Sequence, residues 1–174
     1  MLFRSRLRGL KGFLDGSLGS STAWFWEPYL HEPHSGRPVV DLAELKGDLL
    51  GADRAGLQVA VHAIGDHAVS ELLDLYAEVA TENGPRDRRL RMEHAQHLRP
   101  VDLDRFRELG VIASMQPYHA LDDGCWAEER IGAERCRTSY AWRSLLERGA
   151  TVCFGSDWSV APLNPLTGDR KSVV

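Results

Sequence analysis

The sequence predicts an α/β fold built around a parallel β-sheet. Short apolar segments rich in β-branched residues alternate with amphipathic segments about five times, and no hairpin turn signal joins neighbouring strands. Strands that alternate with helices form parallel sheets from βαβ units. At 174 residues, one domain with one hydrophobic core is expected. Two architectures remain open, an open sheet and part of a (β/α)8 barrel.

Five segments are predicted to be strands. The first lies near Lys11 and breaks into a Gly- and Ser-rich loop, whose glycines allow positive φ and close backbone approach. The other four are apolar runs bounded by turn residues, at 57–62, 89–94, 111–115 and 151–154.

Helices are predicted between these strands, at 42–54, 66–81, 101–109 and in a segment that ends at residue 148. Asp41 is a suitable N-cap for the first helix, Pro100 begins the third, and Thr138 or Ser139 caps the last. Residues 116–137 are expected to form a long loop with a short helix inside it.

Composition and charge exclude several classes of protein. The net charge is −4 with both signs mixed along the chain, and no basic stripe indicates a nucleic-acid partner. No apolar run is long enough to span a bilayer. The basic segment at residues 1–8 is not expected to be a secretory signal, because no apolar region follows it. The three cysteines show no CxxC spacing, which fits a reducing cytoplasm.

Four chemically capable side chains lie at or near the ends of separate predicted strands, namely Lys11, His62, His94 and Asp157. The carboxyl ends of parallel strands meet at one edge or mouth of a sheet, where active sites collect. Imidazole nitrogens and a carboxylate together suit zinc or a similar divalent ion. Ordinary alternatives stay open, since Asp157 could cap a turn and Lys11 could form a surface ion pair.

Five phrases resemble the amidohydrolase family 3 group of YtcJ-like enzymes, which includes N-substituted formamide deformylases. They occur in the family's order from about residue 7 to residue 166. The phrases are Lys11-Gly-Phe-Leu-Asp-Gly-Ser-Leu-Gly-Ser, Val61-His62-Ala-Ile-Gly-Asp66, Met92-Glu-His94-Ala-Gln-His97, Ser114-Met-Gln-Pro-Tyr-His119 and Phe154-Gly-Ser-Asp157-Trp.

The resemblance implies a metal-dependent hydrolase on a (β/α)8 barrel with a small accessory β-domain. It maps Lys11 onto a strand-four lysine that is carboxylated and bridges two metal ions, zinc being expected. It maps His62 and His94 onto the ligands after strands five and six. It maps Asp157 onto a strand-eight aspartate that binds metal and handles the proton of the attacking water.

Four further polar residues are candidates for the substrate pocket, namely Gln96, His97, Gln116 and His119. Ordinary loop polarity is the alternative for them. Aromatic residues could shape an apolar pocket or could equally pack the loops, namely Trp24, Trp26, Tyr29 and Trp126. Glu93 alternates away from His94 along the strand, and we expect it to face the helices.

The sequence departs from the family in two ways. It contains no His-x-His pair, and by this mapping it begins at strand four. We therefore expect residues 1–168 to be a barrel fragment that comprises strands four to eight, with little or no activity alone. Residues 169–174 match the translation of a common sequencing-library adapter, so we expect a non-native tail; a genuine hydrophilic tail is the alternative.

The function that these observations favour, for the intact parent, is hydrolysis of a non-peptide carbon–nitrogen bond in a small molecule, such as an N-substituted amide or formamide. A cyclic amide, imide or ester hydrolase of the same superfamily is the alternative enzyme. A non-catalytic βαβ binding module, in which the histidines are structural, is the alternative from another class.

Overall fold

Five parallel strands form one sheet in the order in which they occur along the chain. The computed structural model describes residues 7–166 and residue 168. The strands are β1 (Gly9–Phe13), β2 (Gln58–Ala63), β3 (Arg91–His94), β4 (Ile112–Met115) and β5 (Thr151–Phe154). Each pairs in parallel with the next. The predicted parallel α/β fold is confirmed.

The strand order separates the two architectures that the sequence left open. A doubly wound sheet reverses its strand order at a switch point, whereas a (β/α)8 barrel adds each new strand beside the previous one. Here the order runs from β1 to β5 without reversal, and within the described residues the two outer strands are each paired on one side only. The chain is therefore an arc of a barrel, a partial (β/α)8 fold.

The two faces of the sheet differ in chemistry. One face is apolar and carries the core, with Val59, Val61 and Met92 buried against the helices. The other face is polar. His62 on β2 and Glu93 on β3 lie side by side on it, in register with each other. Because side chains alternate along a strand, one face supplies packing and the other supplies polar groups.

In the part of the chain that the structure describes, six α-helices cover the apolar face and the connections: α1 (Leu42–Arg54), α2 (Asp66–Asn83), α3 (Leu103–Glu108), α4 (Pro117–Gly124), α5 (Ala127–Cys136) and α6 (Trp142–Glu147). Asp41 caps α1 as predicted, since its Oδ1 accepts from the backbone nitrogens of Ala43 and Glu44. The ring of Tyr76 on α2 is fully buried, and its hydroxyl donates to the Arg91 carbonyl at 2.7 Å.

The segment at 116–137 is where the predicted secondary structure was wrong. It contains two helices, α4 and α5, where a long loop with a single short helix was predicted. Pro117 begins α4 at a position where its missing N–H costs nothing, and Gly132 interrupts α5 with φ 82°. Neither helix buries a long apolar stripe, so the periodic signal that identifies helices is weak there.

Two other helix boundaries also differ from the prediction. The predicted helix at 101–109 is a 3₁₀ turn (Pro100–Asp102) followed by α3. The last helix begins at Trp142, not after Thr138 or Ser139, because the Ser139 hydroxyl is engaged with His97 Nδ1 at 2.7 Å.

Among the described residues, none of the helices combines the length and the apolar character that a bilayer crossing needs. The predicted tail at 169–174 lies outside the described residues.

Candidate active site

A cavity of about 540 Å³ opens at the carboxyl ends of the strands. Its lining includes all four residues singled out at the strand ends, namely Lys11, His62, His94 and Asp157. These side chains come from β1, β2, the last residue of β3 and the loop after β5. The barrel arc thus brings to one place four groups that are far apart in the sequence.

His94 reaches the cavity because its backbone leaves the extended conformation. Alternation places it on the same face as Met92, which is buried against the helices. His94 however has φ 76°, and Ala95 follows with φ 45°. Positive φ is uncommon outside glycine and often marks a functional position. His94 therefore lies beside His62, with ring centroids 4.4 Å apart.

Glu93 does not face the helices, contrary to the sequence expectation. It is in register with His62 on the polar face, and its charge acts on Lys11 across that face. Its carboxylate accepts from Arg91 Nε at 2.9 Å. It is His94 that turns away from the direction expected for its strand.

The hydrogen bond of His94 leaves one ring nitrogen for the cavity. His94 Nδ1 lies 2.7 Å from Gln116 Oε1. Because that oxygen accepts, Nδ1 carries the proton and Nε2 presents a lone pair, which is the tautomer a metal needs. Burial lowers the pKa of His94 to about 4, so the imidazole is neutral at physiological pH.

Three side chains form a compact group that could hold a metal ion, namely His94, His119 and Asp157. Their ligand atoms all lie within 4.8 Å of one another. His119 Nε2 is buried with no hydrogen-bond partner in the described structure and lies 3.7 Å from Asp157 Oδ2. A buried polar atom without a partner is costly unless a ligand satisfies it. Two imidazoles and a carboxylate are a donor set that fits zinc.

His62 borders this group but is not part of it. Its Nε2 donates to the Gly16 carbonyl at 2.7 Å and lies 3.5 Å from Asp15 Oδ1. Burial, reinforced by the neighbouring His94, lowers the pKa of His62 to about 4. With Nε2 engaged, Nδ1 is the nitrogen left to accept.

Lys11 also lines the cavity without joining the group. Its ammonium lies 4.0 Å from the centroid of the Phe13 ring and donates to the Gly12 carbonyl at 3.1 Å. Burial lowers the pKa of Lys11, against the opposing charges of Glu93 and Asp157.

Asp15 lies beside the site and was not among the residues predicted from the sequence. It belongs to the family-like phrase that begins at Lys11. Its carboxylate is buried and accepts from three backbone nitrogens, those of Trp24 (2.9 Å), Ile64 (3.0 Å) and Gly65 (2.8 Å). Burial raises the pKa of Asp15 to about 7. Asp15 thus ties the loop after β1 to the end of β2, next to His62.

The four pocket candidates divide into two pairs. Gln96 and His119 line the cavity, whereas Gln116 and His97 do not. Gln116 is buried behind His94. His97 lies against Phe25 and Ser139, because it follows Gln96 directly and points to the other side of the chain. The roles of all four residues in substrate binding stay predictions.

One wall of the cavity is apolar. Leu18, Ile64 and the indole of Trp126 form it, and the carboxylates Asp122 and Asp123 also line the cavity. Of the other predicted aromatics, Trp24 and Trp26 stack on the two sides of a histidine, His67. The cavity therefore combines a polar edge with an apolar wall, as small-molecule sites do.

A parallel arc with imidazole and carboxylate groups at its carboxyl ends is the arrangement of metal-dependent hydrolases built on a (β/α)8 barrel. The chain belongs to the amidohydrolase family, whose sequence model matches residues 3–170. This confirms the resemblance seen in the sequence phrases.

Two solved structures share the fold and much of the sequence. An uncharacterized metal-dependent hydrolase from Pyrococcus furiosus is 36% identical with a TM-score of 0.85, over 95% of this chain and 34% of that one. A second, from Pyrococcus horikoshii OT3, is 34% identical with a TM-score of 0.81, over 92% of this chain and 32% of that one. A Xaa-Pro dipeptidase with a TM-score of 0.59 is 15% identical and shares the fold alone.

Two proteins are similar in sequence. Protein LONG AFTER FAR-RED 3 of Arabidopsis thaliana is 48% identical over 96% of this chain. YtcJ of Bacillus subtilis (strain 168) is 34% identical over 95% of this chain. The chain spans 29% and 31% of the lengths of these two proteins, respectively.

Proposed function

We propose that this chain is part of a metal-dependent hydrolase that cleaves a non-peptide carbon–nitrogen bond in a small molecule, such as an N-substituted amide or formamide. Family membership and the similarity to metal-dependent hydrolases support the hydrolytic class. The shape of the cavity, a polar edge beside an apolar wall, suits an amide with an apolar substituent.

The observation that carries the proposal is the group formed by His94, His119 and Asp157, with ligand atoms within 4.8 Å of one another. Catalytic zinc sites commonly use three protein ligands and leave one position open. His94 is held in the required tautomer by Gln116. His119 offers a buried nitrogen for which the described structure provides no other partner.

The chemistry divides between the ion and the chain. A zinc ion held by the three residues would polarise the scissile carbonyl and lower the pKa of a water molecule to about 7. The Asp157 carboxylate accepts a proton from the attacking water and returns it to the leaving nitrogen. Leu18 and Trp126 keep bulk water from the reacting groups.

Lys11 and His62 complete the proposed site. Both line the cavity beside the three-residue group. In the intact parent we assign His62 as a further metal ligand and, after carboxylation, Lys11 as another. The carboxylate formed on Lys11 would supply oxygen ligands for one or two ions. We also propose that the protein is cytoplasmic, and that residues 1–168 are a fragment with little or no activity alone.

Metal content tests the proposal directly. Purified chain, stripped with a chelator and dialysed against zinc, should retain about one ion per molecule. His94→Ala and Asp157→Ala should lose it, whereas His34→Ala, at an exposed histidine outside the cavity, should not. Zinc retained equally by all variants would contradict the site.

Turnover tests the reaction class. The parent protein, loaded with zinc, should hydrolyse members of a panel of N-substituted formamides and amides, and Asp157→Ala should abolish the activity. Turnover of esters or cyclic imides with no cleavage of the formamides would contradict the proposed substrate class. Turnover by the isolated chain at the parent's rate would contradict the fragment proposal.

A further inference from the structure

Asp123 is a carboxylate in the cavity that the proposed chemistry does not use. It lies on α4 and lines the same cavity as the metal group. Tyr140 donates its hydroxyl to Asp123 Oδ2 at 2.5 Å, and Gln96 Nε2 donates to the same oxygen at 2.9 Å. Two donors on one oxygen require that oxygen to be unprotonated, so they hold the carboxylate in one orientation. Oδ1 is then the oxygen that remains to accept from a ligand.

Asp123 forms no direct ion pair within the described residues, although the charge of His119 acts on it from farther away. Among residues 7–166 and 168, the ion pairs of Lys, Arg and His do not include Asp123; in the cavity, His119 pairs with Asp157 instead. Burial raises the pKa of Asp123, against the hydrogen bond from Tyr140. A partly buried carboxylate without a cationic partner is costly, and a cationic ligand group would remove that cost.

An apolar surface adjoins this carboxylate. The Trp126 backbone nitrogen donates to the Asp123 carbonyl at 3.0 Å, so the indole that lines the cavity begins one turn from the carboxylate. A Cβ on Gly19 would lie 3.5 Å from the edge of that indole, so the absence of a side chain there leaves the ring accessible. Arg130 lies 4.8 Å from the ring centroid and bonds to Ser21, which fixes the indole.

We propose that Asp123 binds an ammonium group on the substrate, and that the enzyme prefers amides whose apolar substituent carries a protonated amine. Oδ1 accepts the ammonium N–H while Trp126 packs against the hydrocarbon. Tyr140 and Gln96 are positioning residues, since they hold the carboxylate and act through it. That the bound molecule is a substrate rests on the proposed function.

Equilibrium binding of a matched pair of inert probes tests this assignment. The probes are 2-phenylethylamine, which is protonated at pH 7, and the neutral 2-phenylethanol, titrated calorimetrically into the zinc-loaded protein. A charge-assisted hydrogen bond predicts at least about tenfold tighter binding of the amine. Asp123→Asn should remove the preference, and Tyr140→Phe should weaken it.

Asp122→Asn is the matched control, because Asp122 is the adjacent exposed carboxylate at the same cavity. It should keep the amine preference, and circular dichroism should show that all variants fold. Equal affinity for the two probes, or a preference that survives Asp123→Asn, would overturn the assignment. Turnover by the zinc-loaded parent protein of an N-substituted formamide whose apolar substituent carries a primary amine tests the proposed function separately. Its absence, with the amine preference intact, refutes the hydrolase while leaving the ammonium site supported.

Discussion

His94 Nδ1 lies 2.7 Å from Gln116 Oε1, a hydrogen bond between the tip of β3 and the residue that follows β4. Both side chains are buried. The bond fixes the tautomer of His94 and the plane of its ring. Metal-binding histidines are commonly held in this way through their second nitrogen.

The first prediction follows from that bond. Gln116→Ala should lower zinc affinity by about 10- to 100-fold, because His94 loses the acceptor that orients it. Competition with a chromogenic chelator measures the affinity. Gln58→Ala removes a glutamine on β2 that bonds to Arg89 outside the cavity, and it should leave the affinity unchanged. Equal affinities for the two variants would show that Gln116 does not position His94.

The second prediction concerns Asp15. Asp15→Ala should lower the free energy of unfolding by about 3 kcal/mol, because three backbone N–H groups lose their acceptor in a buried place. Urea denaturation followed by fluorescence gives the difference. Asp41→Ala removes the cap of α1 and should cost only about 1 kcal/mol. A loss at Asp15 no larger than at Asp41 would contradict the role of Asp15 as the tie between β1 and β2.

The third prediction compares two glycines. A Cβ on Gly65 would lie 2.1 Å from the Trp24 carbonyl oxygen, whereas a Cβ on Gly51, inside α1, would meet nothing within 4 Å. Gly65→Ala should therefore displace the backbone and destabilise the protein by about 1–3 kcal/mol or more. Gly51→Ala should stabilise it by about 0.5–1 kcal/mol through helix propensity. Thermal denaturation gives the melting temperatures of the two variants. A shift of both melting temperatures in the same direction would contradict the prediction.

The fourth prediction is a pH dependence of stability. His97 is fully buried, and burial lowers its pKa to about 3, with the charge of Arg135 acting in the same direction. The unfolded imidazole titrates near 6.5. Between these values the unfolded state binds a proton that the folded state does not. The contribution of His97 is therefore complete above about pH 6.5 and is lost as the pH falls towards 3.

His97→Gln removes the group that takes up a proton on unfolding. Between pH 4 and 6, the free energy of unfolding of this variant should therefore rise less steeply with pH, by about 1.4 kcal/mol per pH unit. Urea titrations at several pH values give the slopes. Gln58→Ala removes no titratable group and should leave the slope unchanged. An unaltered slope in His97→Gln would mean that His97 is not held neutral by burial.

The sequence was a good guide to the sheet and to the strand-end residues. The strands of a parallel sheet are apolar and β-branched, so their signal survives without tertiary information. The rule that functional groups collect at carboxyl ends then pointed to Lys11, His62 and Asp157 together, and the cavity contains all three. The roles of these residues as ligands stay predictions.

Other features depended on geometry that a one-dimensional pattern does not contain. His94 leaves strand alternation through its positive φ, so counting alternation from His94 assigned Glu93 to the wrong face. His119 joins the candidate metal group because α4 follows β4 directly, whereas the pattern predicted a long loop with a short helix inside it. Asp15 is recognisable only from its three backbone partners, which come from two distant segments.

The division of the sheet into a packed face and a polar face has an evolutionary consequence. Mutations that alter what the cavity recognises can accumulate around its opening while the residues that make the chain fold stay constant. A library randomised at Asp122, Trp126 and Val160, which line the cavity without being buried, should therefore contain many soluble members, and selecting among them is a practical route to new specificities.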